Sequence, residues 1–204
     1  MRLIALAFLC VAQILSAQDI SLLDKLSERT SKSCLDLEYS YSVRISGINN
    51  VGRGDLQCQG YMWKMVGNGV EMYCDSSTLW VLDPKNKEVV IEPAEMEETV
   101  QLQTNPAVLF VHLKELFVVR ESRKLGSQGT VLYILQPKKK GDLDYFNVEI
   151  SASDLSIRNA EISVSDGTLI KIEVSSMKLT PVRSVEDFRP RTIFDSSWIV
   201  TDLR

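Results

Sequence analysis

The chain has 204 residues, with 23 Lys and Arg set against 27 Asp and Glu for a net charge of -4. This balance lacks the clustered cation excess that binding to a phosphate backbone demands, so nucleic acid is excluded as a partner class. Hydrophobic residues make up 45% of the sequence, enough to fill one core of the size expected for a single all-β sandwich or barrel.

In chain order, Arg2 precedes an apolar run from Leu3 to Leu15 broken only by Gln13, followed by Ser16-Ala17-Gln18-Asp19. This is the layout of a secretory signal peptide, read as residues 1–17 with cleavage after Ala17. The run is shorter than the roughly 20 residues of a spanning helix, so residues 18–204 are expected to form a single exported, soluble domain. Cys10 does not read as a lipidation site, because Phe8 and Leu9 are too bulky for the small residues that precede a lipidated cysteine. The remaining cysteines, Cys34, Cys58 and Cys74, are an odd number and match neither a metal spacing nor a CxxC pair, so no disulfide framework is implied.

Ile20, Leu22, Leu23 and Leu26 recur at helical spacing among charged residues, which predicts a short amphipathic helix from Asp19 to about Thr30. The period then changes to two. Tyr39, Tyr41, Val43 and Ile45 alternate with Ser40, Ser42, Arg44 and Ser46, which predicts a strand with one buried face. Ser46 to Gly52 reads as a turn region, followed by strands at Gly54–Cys58, Tyr61–Val66 and Val70–Asp75. Placing Cys58 opposite Tyr61, and Tyr61 opposite Cys74, gathers Leu56, Cys58, Tyr61, Trp63, Met65, Val70, Met72 and Cys74 on one face. Cys58 and Cys74 then stand two strands apart, roughly 9 to 10 Å, too far to be bridged.

A hairpin follows at Thr78–Asp83 and Glu88–Glu92. Asn105 as N-cap and Pro106 as first helical residue open an apolar segment read as a helix of three turns reaching Arg120, with Val108, Leu109, Leu113, Leu116 and Phe117 on its stripe and Phe110 and Val111 beside it. Strands are predicted again at Val131–Gln136, Tyr145–Ser151, Ile157–Ser165, Leu169–Met177 and Ile199–Leu203.

Catalytic chemistry finds little footing. The single histidine, His112, has no Cys, Asp or second His near it in sequence, and reads as a surface or satisfied core residue. No nucleophile elbow, phosphate loop or H-E-x-x-H occurs. Asp142 and Asp144 fall in a charged turn with Lys138, Lys139 and Lys140, where solvated charge is the ordinary expectation, although the lysine run could touch an anionic membrane. No catalytic residue, metal ligand or cofactor is therefore assigned. Trp63, Met65 and Met72 are open to two readings: an ordinary solid core, or a soft wall able to hold variable apolar ligands.

The order of several motifs resembles the periplasmic outer-membrane lipoprotein carrier family, the LolA-like proteins. Gly52-Arg53-Gly54-Asp55-Leu56 is similar to its G-x-G-D strand, and Trp63-Lys64-Met65 ends an aromatic strand like its second. Cys74-Asp75-Ser76-Ser77-Thr78-Leu79-Trp80-Val81-Leu82-Asp83-Pro84 resembles its D-G-x-T-L-W-x-Y-N-P. Asn105-Pro106, Leu135-Gln136-Pro137-Lys138 and the terminal Val200-Thr201-Asp202-Leu203-Arg204 extend the match over nearly all of residues 18–204. Gln59-Gly60 stands where the family often has Arg-Pro, so the arginine held to contact the lid is absent.

The resemblance implies a mainly β fold: an incomplete, unclosed antiparallel β-barrel or strongly curved sheet, with an N-terminal helix and a helical lid over an apolar cavity. It implies a monomeric periplasmic carrier of acylated lipoproteins that serves an inner-membrane lipoprotein-releasing transporter and an outer-membrane receptor. On that reading Trp63, Met65, Met72, Trp80 and Leu82 form the cavity wall, and Leu109, Phe110 and Leu113 the lid. The choice of Trp80 and Leu82 over Leu79 and Val81 rests on ring size. The alternatives are a lipid- or lipoprotein-sensing module of the same fold and a structural surface protein with a solid core.

Overall fold

The computed structural model describes residues 20–94, 110–126 and 129–204. The predicted signal peptide, the Asn105-Pro106 helix start, Val108 and Leu109 lie outside the described residues.

Helix α1 spans Ser21–Thr30 and buries Leu23 and Leu26, two of the four residues that define its apolar stripe. Six strands follow in a meander: β1 (Cys34–Ile45), β2 (Ile48–Gln59), β3 (Met62–Gly67), β4 (Val70–Asp75), β5 (Thr78–Asp83) and β6 (Glu88–Pro93). The short helix α2 (Leu113–Leu116) then leads into β7 (Phe117–Leu125), β8 (Thr130–Pro137), β9 (Leu143–Ser151), β10 (Ile157–Val164) and β11 (Leu169–Thr180). A 3-10 turn at Val185–Phe188 and strand β12 (Ile199–Asp202) end the chain.

Among the described residues the twelve strands lie in one sheet, in the order β12-β6-β5-β4-β3-β2-β1-β11-β10-β9-β8-β7. Neighbours are antiparallel except β12, which runs parallel to β6. The sheet does not close on itself, since β12 and β7 are its two ends. It is nevertheless curled. Lys138, just past β8, donates its backbone N–H to the Leu116 carbonyl at 2.9 Å, which fixes α2 beside β8. Four residues upstream, the His112 ring stacks on Tyr61 between β2 and β3, with centroids 4.4 Å apart. In a flat sheet β8 and β3 would be six strand spacings apart, roughly 29 Å, so the sheet must wrap to bring them within reach of one short segment.

The turns follow their residues. Ser46 and Gly47 both have positive φ, 49° and 84°, as do Asn68 and Gly69 at 53° and 82°, the requirement of a two-residue turn that matches strand twist. The Ser46–Gly52 turn region thus contracts to Ser46-Gly47, and Ile48 already pairs with Ile45. Gly52 and Gly54 have a different role. They lie opposite Tyr41 and Tyr39, and a Cβ on Gly52 would fall 2.6 Å from the Tyr41 ring. The glycines leave room for those rings to lie across the neighbouring strand.

The expected register is offset by two residues. Cys58 pairs with Trp63, and Trp63 with Cys74. Because side chains alternate with period two, this keeps every residue on its predicted face, and Leu56, Cys58, Trp63, Met65, Met72 and Cys74 all join one core. Cys58 and Cys74 flank Trp63 on two different strands, and all three described cysteines are free and buried.

The helix expected to reach Arg120 stops at Leu116, and from Phe117 the chain is strand β7. Phe117 and Val119 pack on the core while Val118 points away, so the aromatic and β-branched residues there follow the period of a strand.

Candidate functional site

The larger core lies on the face covered by α1 and α2. It runs without a break from β5 round to β7 and takes in Leu23 and Leu26 from α1 and Phe110, Val111, Leu113 and Leu116 from the α2 segment. Phe146 on β9 is fully buried between Phe110 and Phe117, with ring centroids 5.8 and 5.4 Å away. Trp63 is buried in this core, and Met65 and Met72 are half-buried against it. Phe110 and Leu113 cover the same face.

Trp80 and Leu82 do not belong with them. Trp80 pairs with Tyr73 and Leu82 with Glu71, which puts both on the opposite face in a second cluster with Tyr73, Val89 and Ile91 beneath Phe194 and Trp198. Leu79 and Val81 are the β5 residues that face Trp63 and Met72, so ring size gave the wrong parity on this strand.

An apolar pocket of about 490 Å³ opens where the larger core meets solvent, at the ends of β1, β8 and β10. Val43 from β1, Leu116 and Phe117 from α2 and β7, Leu143 from β9, Ile162 from β10 and Ile170 from β11 form its wall. Glu115, Lys138, Lys139, Asp142 and Asp166 stand around it. The backbone N–H and hydroxyl of Thr168 hold the Asp166 carboxyl below the usual carboxylate range, so that group is ionised. An apolar wall with a few polar groups at the mouth is the ordinary form of a small-molecule site, and the volume falls within the usual range of roughly 300 to 1,000 Å³. A wider depression of about 570 Å³ lies mainly on the opposite face, where the pairs Glu149–Asn159 and Glu161–Lys171 stand among Tyr41, Val51, Leu132 and Ile172.

None of the five predicted wall residues lines this pocket. The signal that could have found it is the far end of β1: Val43 and Ile45 continue the alternation of Tyr39 and Tyr41 up to the turn, where Val43 faces Asn50 and Ile45 pairs with the exposed Ile48.

The covering segment has its own polar geometry. His112 is buried; its Nδ1 lies 2.7 Å from Glu115 Oε2, its ring stacks on Tyr61, and its Nε2 has no hydrogen-bond partner among the described residues. Gln59, at the position of the family arginine, faces the C-terminal segment instead. It accepts the Arg183 N–H at 2.7 Å and donates to the Arg183 carbonyl at 3.0 Å. Burial pushes the Cys34, Cys58 and Cys74 thiols up, which leaves them poor nucleophiles. Among the described residues there is no group of three or more His, Cys, Asp or Glu placed to hold a metal, and no helix is long and apolar enough to cross a membrane.

No protein-family model matches the chain, and no curated protein matches its sequence. A solved structure shares its fold. An uncharacterized conserved protein from Thermus thermophilus is similar at a TM-score of 0.54 and 10% identity, over 89% of this chain and 97% of that one. A LolA superfamily protein from Nitrosomonas europaea is similar at 0.46 and 11% identity, over 86% and 99%. A putative outer membrane lipoprotein-sorting protein domain from Vibrio parahaemolyticus is similar at 0.45 and 10%, over 83% and 95%. What the Thermus thermophilus structure shows is a shared fold alone, at about a tenth of positions identical.

Proposed function

We propose that this chain is a non-enzymatic carrier that takes up the acyl chains of a lipoprotein and delivers it from the inner to the outer membrane. Residues 1–17 direct export, and residues 18–204 form the working domain in the periplasm. The supporting observation is the apolar pocket of about 490 Å³ that continues the larger core out to solvent beside the α2 segment. Acyl burial is worth roughly 0.8 kcal/mol per CH₂, so a multiply acylated protein needs such a shield to cross water. A pocket continuous with a core covered by α1 and the short α2 can enlarge as α2 moves. An inner-membrane releasing transporter would load it, and an outer-membrane receptor would unload it.

Native mass spectrometry of protein purified from its own periplasm tests the reading. A mass beginning at Gln18 and carrying lipoprotein or lipid is expected, with the adduct lost in Leu143→Glu, a change on the half-buried pocket wall. A bare wild-type mass, together with no uptake of a fluorescent fatty acid, would overturn it.

A further inference from the structure

The pocket wall does not end at its mouth. Val43 and Ile45 both line it, and Ile45 lies opposite Ile48 across the Ser46-Gly47 turn. Ile45 is 46% exposed and Ile48 65% exposed, so an apolar track runs from inside the pocket onto the tip of the β1–β2 hairpin. A cross-strand isoleucine pair at the tip of a tight two-residue turn has no core to serve, and it exposes apolar surface to water on a projecting element.

The surroundings are those of an interfacial contact. Lys138, Lys139 and Lys140 are exposed in the turn after β8, with Lys138 and Lys139 on the rim of the same pocket, and Arg44 is exposed on the hairpin itself. Glu115, Asp142, Asp144 and Asp166 share this end of the molecule and equal those four cations in number, so what stands beside the apolar tip is a local run of three consecutive exposed lysines rather than a net positive field. Apolar residues at the boundary of the hydrocarbon with cations at headgroup level is the arrangement by which peripheral proteins sit on anionic bilayers.

We propose that the β1–β2 hairpin tip docks on a lipid bilayer, with Ile45 and Ile48 entering the headgroup–acyl boundary and the lysines meeting anionic headgroups. Docked in this way the pocket mouth faces the membrane, and an acyl chain passes along Ile48, Ile45 and Val43 without crossing bulk water. The proposal rests on the acyl-binding reading of the pocket and adds where and how a chain enters.

The test uses vesicles of phosphatidylethanolamine and phosphatidylglycerol, with fluorescent fatty acid uptake measured in parallel. Ile48→Asp is expected to lower vesicle partitioning at least about tenfold, the cost of withdrawing a branched four-carbon side chain from the hydrocarbon boundary. Transfer of fatty acid from the vesicles should slow in Ile48→Asp, because Ile48 lies on the entry track, while the amount bound at saturation should match wild type, because Ile48 does not line the pocket. Lys140→Glu should weaken partitioning on the order of fivefold at low salt and little at high salt. Ile193→Asp, at an apolar residue 86% exposed in the C-terminal segment, should leave partitioning intact. Equal partitioning of wild type and Ile48→Asp, or an equal loss in Ile193→Asp, overturns the docking proposal while leaving the pocket untouched. Failure of every protein, wild type included, to take up the fatty acid would instead bring down the reading beneath it.

Discussion

The two faces of the sheet are closed by different means. The α1 and α2 face is held by apolar side chains: the sheet contributes Trp63, Phe146 and their neighbours, the helices contribute Leu23, Leu26, Phe110 and Leu113, and polar ties are few. The opposite face is crossed by the segment after β11, which is fastened at intervals. Gln59 brackets the Arg183 backbone, Asp36 takes the Arg183 guanidinium at 2.8 and 3.0 Å, Asp75 takes Arg189 at 2.7 Å, and β12 adds a parallel ladder to β6. Apolar contact is non-directional and tolerates sliding, whereas charge-assisted hydrogen bonds fix register. The charge-assisted ties to Arg183 and Arg189 lie on the face away from the 490 Å³ pocket.

The strongest challenge to that contrast is to remove the centre of the larger core. Phe146→Ala deletes a fully buried ring between two others and should cost about 3 to 5 kcal/mol in urea unfolding, with fatty acid uptake impaired at any stability. Trp80→Ala on the opposite face, half-buried under Phe194 and Trp198, should cost less and leave uptake unchanged. If Trp80→Ala abolished uptake while the protein stayed folded, the division of labour between the faces would be wrong.

The next effect concerns the fastened face alone. Burial by itself pushes the Asp75 carboxyl up, but hydrogen bonds from the Ser77 hydroxyl, Arg189, and the backbone N–H groups of Thr78 and Ser77 outweigh it and hold the group at about 2. In the unfolded chain an aspartate titrates near pH 4, so the folded pKa is depressed. The stabilisation is therefore complete above about pH 4 and is lost as the pH falls from there towards 2. Asp75→Asn should cost about 2 to 3 kcal/mol at neutral pH, the worth of hydrogen bonds to a buried charge, and unfolding measured against pH should lack the acid step seen in wild type. An unchanged acid profile would mean that the C-terminal segment is held by Phe188, Phe194 and Trp198 without help from the ion pair.

How much of this was legible in the sequence depended on how local the determining contact is. The meander from β2 to β5 could be read because its turns and alternation are adjacent in sequence, and an error of two residues in register did no harm to the faces. The face of Trp80 was readable too. Met72 and Cys74 face the larger core, and a two-residue loop at Ser76-Ser77 places Leu79, not Trp80, beside Cys74, so carrying the register one hairpin further would have settled it. What could not be read was the cover on Trp80, because Phe194 and Trp198 arrive from more than a hundred residues away in a segment with no periodicity. Strand β7 was missed for another reason: Leu113, Leu116 and Phe117 fit a helical stripe, and only the packing of Phe117 and Val119 on one face of the sheet shows that the helix has already ended. The pocket lay at the end of β1, where the apolar alternation runs on to the turn, a feature that means little until the strands around it are placed.

The smallest expected effect asks whether an ion pair between α1 and α2 adds anything to the Lys138 hydrogen bonds that tie α2 to the end of β8. Lys114 of α2 reaches Asp24 of α1 at 2.8 Å, with the two side chains 54% and 43% exposed. An ion pair so open to water gains modest Coulomb energy and loses side-chain entropy, so a double-mutant cycle on Lys114→Ala and Asp24→Ala should give a coupling of about 0.2 to 1 kcal/mol, fading in high salt. The functional expectation is sharper than the energetic one: fatty acid uptake rates in the two variants should match wild type, and salt should not accelerate them. Salt-accelerated uptake in wild type, absent from Lys114→Ala, would show that the two helices are latched by charge. The contrast between a packed face and a fastened face would then have to be redrawn with an ion pair on both sides.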